Sequence, residues 1–449
     1  MKLKSILLFA AATLVCLDAP GQDFVADPER MEARIQALGQ FGTNPKGGVS
    51  RVAFSDADLD GRAYLRKLME DAGLEVRIDS AGNIIGRRAG GADELPPIML
   101  GSHIDSVPDG GNYDGQVGVI GGLEVIEILN EHGIQTRYPI EVVSFTDEEG
   151  GLSGSRAMVG KLSAEGLEVV SHSGLTIAEG IRRVGGDPDR LDEAVRRRGD
   201  ITAYLELHIE QGAVLYQEDI DIGVVEGIVG IRWWEVTVGG MANHAGTTPM
   251  NQRTDAMVIA AELTLAINRV ATDLEGRQVA TVGKIQAFPG APNVVPGEVQ
   301  LSLEIRDLDA DKMQQVYDLI YAEAGRIAER RGSNIDFREI DLSAPPAPTD
   351  PVMRDIIQAS ANQRGLSSLR MPSGAGHDAQ DIALIAPVGM IFVPSVDGIS
   401  HSPYEFTSSE DMANGANVLF GALMAVDAGA LDRPQRRVLP GFRRENAQP

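Results

Sequence analysis

Hydrophobic and polar positions along the chain follow two periods, and each change of period marks an element. Apolar residues three and four apart predict helices over Pro28 to Leu38 and Asp56 to Ala72, with Gly73 as the stop signal. Leu74 to Asp79 and Asn83 to Arg88 read as strands around the turn Ser80-Ala81-Gly82. The short apolar run from Pro97 to Leu100 predicts a buried strand that delivers His103 and Asp105 at its end, two residues apart and so on one side. Asp114 follows in a loop with Gly110, Gly111 and Gly115, and Val117 to Leu129 reads as a helix. Pro139 to Asp147 is another apolar strand and ends in Glu148-Glu149-Gly150. Tyr204 to Gly212 alternates, with Glu206, His208 and Glu210 on one face and Leu205, Leu207 and Ile209 on the other. Strands broken by helices in this way predict an α/β domain.

From about Gly227 the grammar changes. A strand at Arg232 to Val238 precedes a helix at Arg253 to Val270, strands at Val279 to Ala287 and Glu298 to Leu308, a helix at Ala310 to Arg331 and a strand at Asn334 to Ile340. The order βαββαβ is the split-βαβ or ferredoxin-like pattern, read as a domain inserted in the first one. Helix and strand signals then resume with Pro351 to Arg364, the Gly-rich loop Ser373 to Asp378, the strand Met390 to Pro394, the tripeptide Ser400-His401-Ser402 and a closing helix from Ser408 to Ala428. The segments are a leader (1–21), a first catalytic segment (22–226), the insert (227–342), a second catalytic segment (343–431) and a flexible tail (432–449).

Composition narrows the classes. The 449 residues carry a formal net charge of -25, which argues against nucleic acid and anionic lipid as partners and means that an anionic substrate needs a local cation. Lys2 and Lys4 precede the apolar run Ile6 to Leu17, a signal-peptide pattern too short to span a bilayer, so export to the periplasm or the outside is expected. Ala19-Pro20-Gly21 offers small residues for cleavage, and Val15 argues against a lipoprotein site at Cys16, the one cysteine of the chain. Without it the mature chain has no disulfide, and its size supplies the core instead.

The candidate chemistry lies at strand ends. His103, Asp114, Glu149, His208 and His401 are imidazole and carboxylate ligands suited to zinc, with manganese or cobalt as alternatives. Five ligands exceed the three protein ligands of a single catalytic zinc, and a carboxylate such as Asp114 can bridge two ions about 3.5–4 Å apart. Asp105 is placed to orient His103, and Glu148 to take a proton from the attacking water. His132 and His172, in polar contexts, read as ordinary surface histidines. In the strand VQLSLEIRDL, Val299, Leu301, Leu303 and Ile305 form the apolar face, leaving Arg306 on the accessible one, either as a solvated charge or as a partner for an anion.

Taken together, His103-x-Asp105, Asp114-Gly115, Asp147-Glu148-Glu149-Gly150, Leu207-His208-Ile209-Glu210-Gln211-Gly212 and Gly398-Ile399-Ser400-His401-Ser402 resemble the M20 metallopeptidase-like amidohydrolases. The similarity is greatest to their branch of N-carbamoyl-L-amino-acid hydrolases, allantoate amidohydrolases and β-ureidopropionases, since peptidase members commonly carry an acidic residue where His208 stands. The resemblance implies two divalent metal ions per subunit, zinc foremost, in an α/β catalytic domain with an inserted ferredoxin-like lid that also forms a homodimer. It implies further that Arg306 and Asn293 hold a substrate carboxylate, that Gln211 and the loop through Gly376 contact the ureido end, and that His244 of a neighbouring subunit polarises the scissile carbonyl. The expected reaction is hydrolysis of the linear amide bond of a carbamoyl or ureido acid to ammonia and carbon dioxide. A dipeptidase or aminoacylase of the same superfamily is the alternative enzyme. A periplasmic ligand-binding protein that lost catalysis is the alternative from another class, and the presence of Glu148 with every ligand argues against it.

Overall fold

The computed structural model describes residues 24–432, so the N-terminal leader and the basic tail beyond residue 432 lie outside the described residues. The chain builds a mixed nine-stranded sheet, leaves it for a smaller sheet, and returns. Strands β1 (Glu75–Ile78), β2 (Ile84–Arg88), β3 (Ile98–His103), β4 (Ile140–Phe145), β5 (Ala203–Ile209) and β6 (Ile222–Ile228) come first. The excursion supplies β7 (Gly230–Gly239), β8 (Asn243–His244), β9 (Val279–Thr281), β10 (Ile285–Phe288), β11 (Val294–Val295), β12 (Glu298–Asp307) and β13 (Ile335–Ala344). The return supplies β14 (Ala347–Pro348), β15 (Ser368–Ser373) and β16 (Val388–Val393).

In the large sheet β4, β3, β5 and β16 are neighbours and run parallel, while β2 and β1 extend one edge antiparallel. The chain passes from β3 to β4 on one side and returns to β5 on the other. Connections therefore diverge above the carboxyl end of β3, where open α/β sheets form a crevice. Pleating sends Ile98, Leu100, Leu205 and Leu207 into one core, against the helices Pro28–Leu38, Gln116–Glu131 and Ser409–Asp427, and Met99, Tyr204, Met390 and Phe392 into the other. The alternation read in Tyr204 to Gly212 is present, but both faces of β5 are buried. Glu206 is accordingly satisfied inside, its Oε1 accepting from Ser102 Oγ at 2.7 Å and its Oε2 from Ala379 N at 3.0 Å.

The smaller sheet runs β10-β12-β7-β13, antiparallel throughout, the order and sense of a split-βαβ unit. The helices Ala256–Asp273 and Ala310–Arg331 pack on each other and on this sheet, with Trp234, Leu263 and Ile320 at its centre. Two details differ from expectation. The helix expected from Arg253 starts at Ala256, because the Asp255 side chain caps Met257 and Val258, while Arg253 donates to the Thr248 carbonyl at 2.9 Å. The single strand expected over Val279 to Ala287 is broken into β9 and β10, both on β12, where the Ser302 hydroxyl accepts from Lys284 N at 3.0 Å. Strands β6 and β15, absent from the periodicity reading, pair parallel beside β16.

Candidate metal centre and cleft

Every candidate ligand stands at or just beyond the carboxyl end of one of these parallel strands. His103 closes β3, Glu148 and Glu149 follow β4, His208 lies at the end of β5, and His401 sits in the loop after β16. Asp114 enters from the turn before the helix Gln116–Glu131, where Gly115 has φ +75° and a Cβ would lie 2.3 Å from His103 Nε2, so only glycine fits. Asp147, Gln211 and His401 adopt left-handed φ values of 56°, 57° and 53°, unusual for residues with side chains. These three strained positions lie at the site.

Asp114 is the hub. Its Oδ1 lies 3.2 Å from His208 Nε2 and 3.8 Å from His103 Nε2, and its Oδ2 lies 3.2 Å from His401 Nε2. Glu149 Oε2 is 3.4 Å from His401 Nε2, and Glu148 Oε2 is 3.6 Å from His103 Nε2. Two donor groups thus meet on one carboxylate: His103, His208 and Asp114, and Asp114, Glu149 and His401. Burial pushes Asp114 up, but the facing imidazoles of His208 and His401, with the charge of His103 beside them, outweigh it and hold the carboxyl well below the usual range. Burial, with Asp378 and Glu149 nearby, pushes Glu148 well above it.

Tautomers settle whether the imidazoles fit a cation. His103 Nδ1 is 3.1 Å from the Asp105 carbonyl and His208 Nδ1 is 2.9 Å from the Ile209 carbonyl. A carbonyl only accepts, so Nδ1 carries a proton in both rings and Nε2 is the nitrogen each turns toward Asp114. Burial lowers His103 to about 4, which leaves its Nε2 a free lone pair, whereas at His208 burial is outweighed by the pull of Asp114, which raises it. His208 Nε2 and Glu149 Oε1 are buried without a hydrogen-bond partner. Imidazole nitrogens and carboxylates facing one point make a donor set that, with the rings deprotonated, fits a divalent cation such as zinc.

Asp105 stands against His103 as expected, and does a second job besides. It meets His103 through its main-chain carbonyl, while its carboxylate oxygens accept from the main-chain N–H groups of Glu148 and Glu149 at 3.3 and 3.2 Å. It therefore sets the turn that presents the base and the ligand. Glu405, which no sequence pattern singled out, plays the same part opposite. Its Oε1 accepts from Tyr113 N and Asp114 N at 2.8 and 3.0 Å, and its Oε2 from Ser400 Oγ and His401 N at 3.0 and 3.2 Å. His377, also unanticipated, packs edge-on against His208 with ring centroids 4.4 Å apart and hydrogen-bonds through Nε2 to Ser373 Oγ at 2.8 Å.

The proposed substrate residues divide. Gln211 and Gly376 line a chamber of about 200 Å³ with Asp114, Glu148, Glu149, His208, His377 and His401. Gln211 Nε2 donates to Asp114 Oδ2 at 2.6 Å. Arg306 lines an adjoining cleft of about 610 Å³, its Nε donating to Glu304 at 2.8 Å and its Nη1 to the Gly374 carbonyl at 2.7 Å. His244 and Asn293 are exposed on the paired ribbon β8–β11 and line neither space. His244 Nδ1 accepts from Gly246 N at 3.0 Å, so its Nε2 carries the proton and is a donor, the opposite tautomer to that of His103 and His208. His132 and His172 are exposed and outside the site.

Two donor groups converging at parallel strand ends, with a glutamate beside them able to accept a proton, are what water-activating metal chemistry requires, and fold and site together define a metal-dependent hydrolase. Its family follows from comparison: the chain belongs to peptidase family M20/M25/M40, whose model matches residues 99–425. It is 42% identical over 406 residues to an N-carbamoyl-L-amino acid amidohydrolase of Geobacillus stearothermophilus, covering 89% of this chain and 99% of that one. It is 34% identical over 391 residues to an allantoate amidohydrolase of Bacillus subtilis, covering 86% and 94%. A crystal structure of a hydantoinase/carbamoylase family amidase from Burkholderia multivorans superposes with a TM-score of 0.83 at 37% identity, covering 90% of this chain and 98% of that one.

Proposed function

We propose that this protein hydrolyses the linear amide C–N bond of N-carbamoyl-L-amino acids or close ureido acids, releasing ammonia and carbon dioxide. The carrying observation is the union of the Asp114 chamber, with Glu148 at its wall, and a cleft rimmed by Arg306. His103, Asp114, Glu149, His208 and His401 would hold two divalent ions, zinc foremost, which when bound polarise the carbamoyl oxygen and acidify water. Arg306 holds the substrate carboxylate, the pairing for which a planar guanidinium is suited. Glu148 takes the proton as water adds to the carbamoyl carbon and returns it to the leaving nitrogen as the C–N bond breaks. The carbamate so formed decomposes to carbon dioxide and ammonia. His244, a fixed Nε2–H donor, stabilises the oxyanion when the smaller sheet of a second subunit closes as a lid. The leader exports the chain to the periplasm or beyond, and no described helix is long and apolar enough to cross a membrane.

Relatives named for carbamoyl amino acids and allantoate support this reading. The test is ammonia release from N-carbamoyl-L-amino acids, allantoate, β-ureidopropionate and dipeptides, with zinc or manganese supplied. Turnover of carbamoyl acids and none of dipeptides is expected; cleavage of dipeptides alone would overturn the proposal.

A further inference from the structure

The larger cleft is lined by arginines although the chain as a whole is acidic. In a chain of formal net charge -25, its charged lining consists of Arg277, Arg306 and Arg370 with one acid, Glu210. That acid is already used, because its oxygens accept from Val214 N and Leu215 N at 2.9 and 2.8 Å. Arg277 and Arg370 are each tied by one edge: Arg277 Nη1 to Glu226 at 2.9 Å, and Arg370 Nη2 to Asp355 at 2.6 Å. A guanidinium has five N–H donors, so both retain donors for a ligand. Gln211 and Ala375 line this cleft and the Asp114 chamber alike, so the two spaces adjoin.

We infer that the preferred substrate is a ureido acid whose side chain ends in a second carboxylate, bound by Arg277 and Arg370. This rests on the function proposed above. With the carbamoyl group in the chamber and the first carboxylate on Arg306, the side chain is left with the remaining cleft. Val214 and Met371 give its methylene groups an apolar wall, and the two arginines meet its end. A neutral side chain would use the wall and leave both cations idle.

The test compares kcat/KM for N-carbamoyl-L-glutamate, its near-isostere N-carbamoyl-L-glutamine and N-carbamoyl-L-norleucine on the full chain, read as release of the free amino acid with zinc or manganese supplied. The glutamate form is expected to exceed the glutamine form by about tenfold or more, and the preference should shrink as salt is raised because both arginines are solvent-accessible. In Arg277→Gln/Arg370→Gln the ratio should fall toward one. Equal or better use of the glutamine or norleucine form by the wild type overturns the inference alone, as does a double variant that slows all substrates alike. Failure to cleave any carbamoyl acid overturns the function proposed above and this inference with it.

Discussion

Glu148→Gln preserves shape but cannot accept a proton, so it should keep bound metal while turnover falls roughly 10²–10⁴-fold, read by metal analysis beside ammonia release. His103→Ala and His401→Ala should instead lose metal and activity together, since each removes a donor from one of the groups meeting on Asp114; a full metal complement in either would move the site elsewhere. Glu405→Gln is the test of a residue that touches no proposed ligand by its function, only by its hydrogen bonds. Its amide can accept at one oxygen where the carboxylate serves four donors. A loss of about 1–3 kcal/mol in stability to urea, with weaker metal retention, is expected. The candidate donors that meet on Asp114 were legible in the chain because imidazoles and carboxylates stand beside apolar strands and glycine turns. Glu405 was not, since a carboxylate in Ser402-Pro403-Tyr404-Glu405-Phe406 looks like any loop acid until its partners from Tyr113 to His401 are brought around it. The second job of Asp105 was hidden for a similar reason: spacing puts it beside His103, but which of its oxygens meets the ring and which the chain depends on the turn after β4.

At the scale of elements, the helix Gln116–Glu131 shows how tightly the sheet is covered. A helical Gly→Ala change ordinarily gains about 1 kcal/mol. At Gly118 the added Cβ would lie 2.3 Å from the Leu207 carbonyl oxygen and 2.7 Å from Ser102 Cβ, between β5 and β3. Gly118→Ala should therefore destabilise, by about 1–3 kcal/mol, as a lower urea midpoint at unchanged slope. Strands buried on both faces, such as β3 and β4, were plain from their apolar stretches Ile98 to Leu100 and Val142 to Val143 and the acids and imidazole that follow them. The β6 sequence IGVVEGI is short and interrupted by glycine and glutamate, and β15 contains Pro372, tolerated because β15 pairs only with β6. Their strand character comes from the neighbours they pair with rather than from any period of their own. The same is true of the break between β9 and β10, which depends on Ser302 across the ladder.

For the whole molecule, the role proposed for the exposed His244 predicts that activity depends on a second chain. Mixing inactive His244→Ala with inactive Glu148→Gln, after dissociation and reassociation, should restore up to about a quarter of wild-type activity, half the dimers being mixed and each holding one intact site of two. A dead mixture with heterodimers confirmed would refute the trans arrangement. The βαββαβ order of the excursion was readable because its two helices and its long strands β7 and β12 are amphipathic, whereas nothing in one chain's sequence says which subunit's cleft an exposed histidine serves. The pairing of β5 with β16 has a further consequence, in time rather than in space. His103, Asp114 and Glu149 precede the excursion, and His401 follows it, so a chain emerging from the ribosome holds an incomplete donor set until its last strand is made and docked. If these residues hold the metal as proposed, truncated or stalled chains lack the full donor set, and loading is expected at the last stage of the protein's maturation, in whichever compartment β16 finds its place.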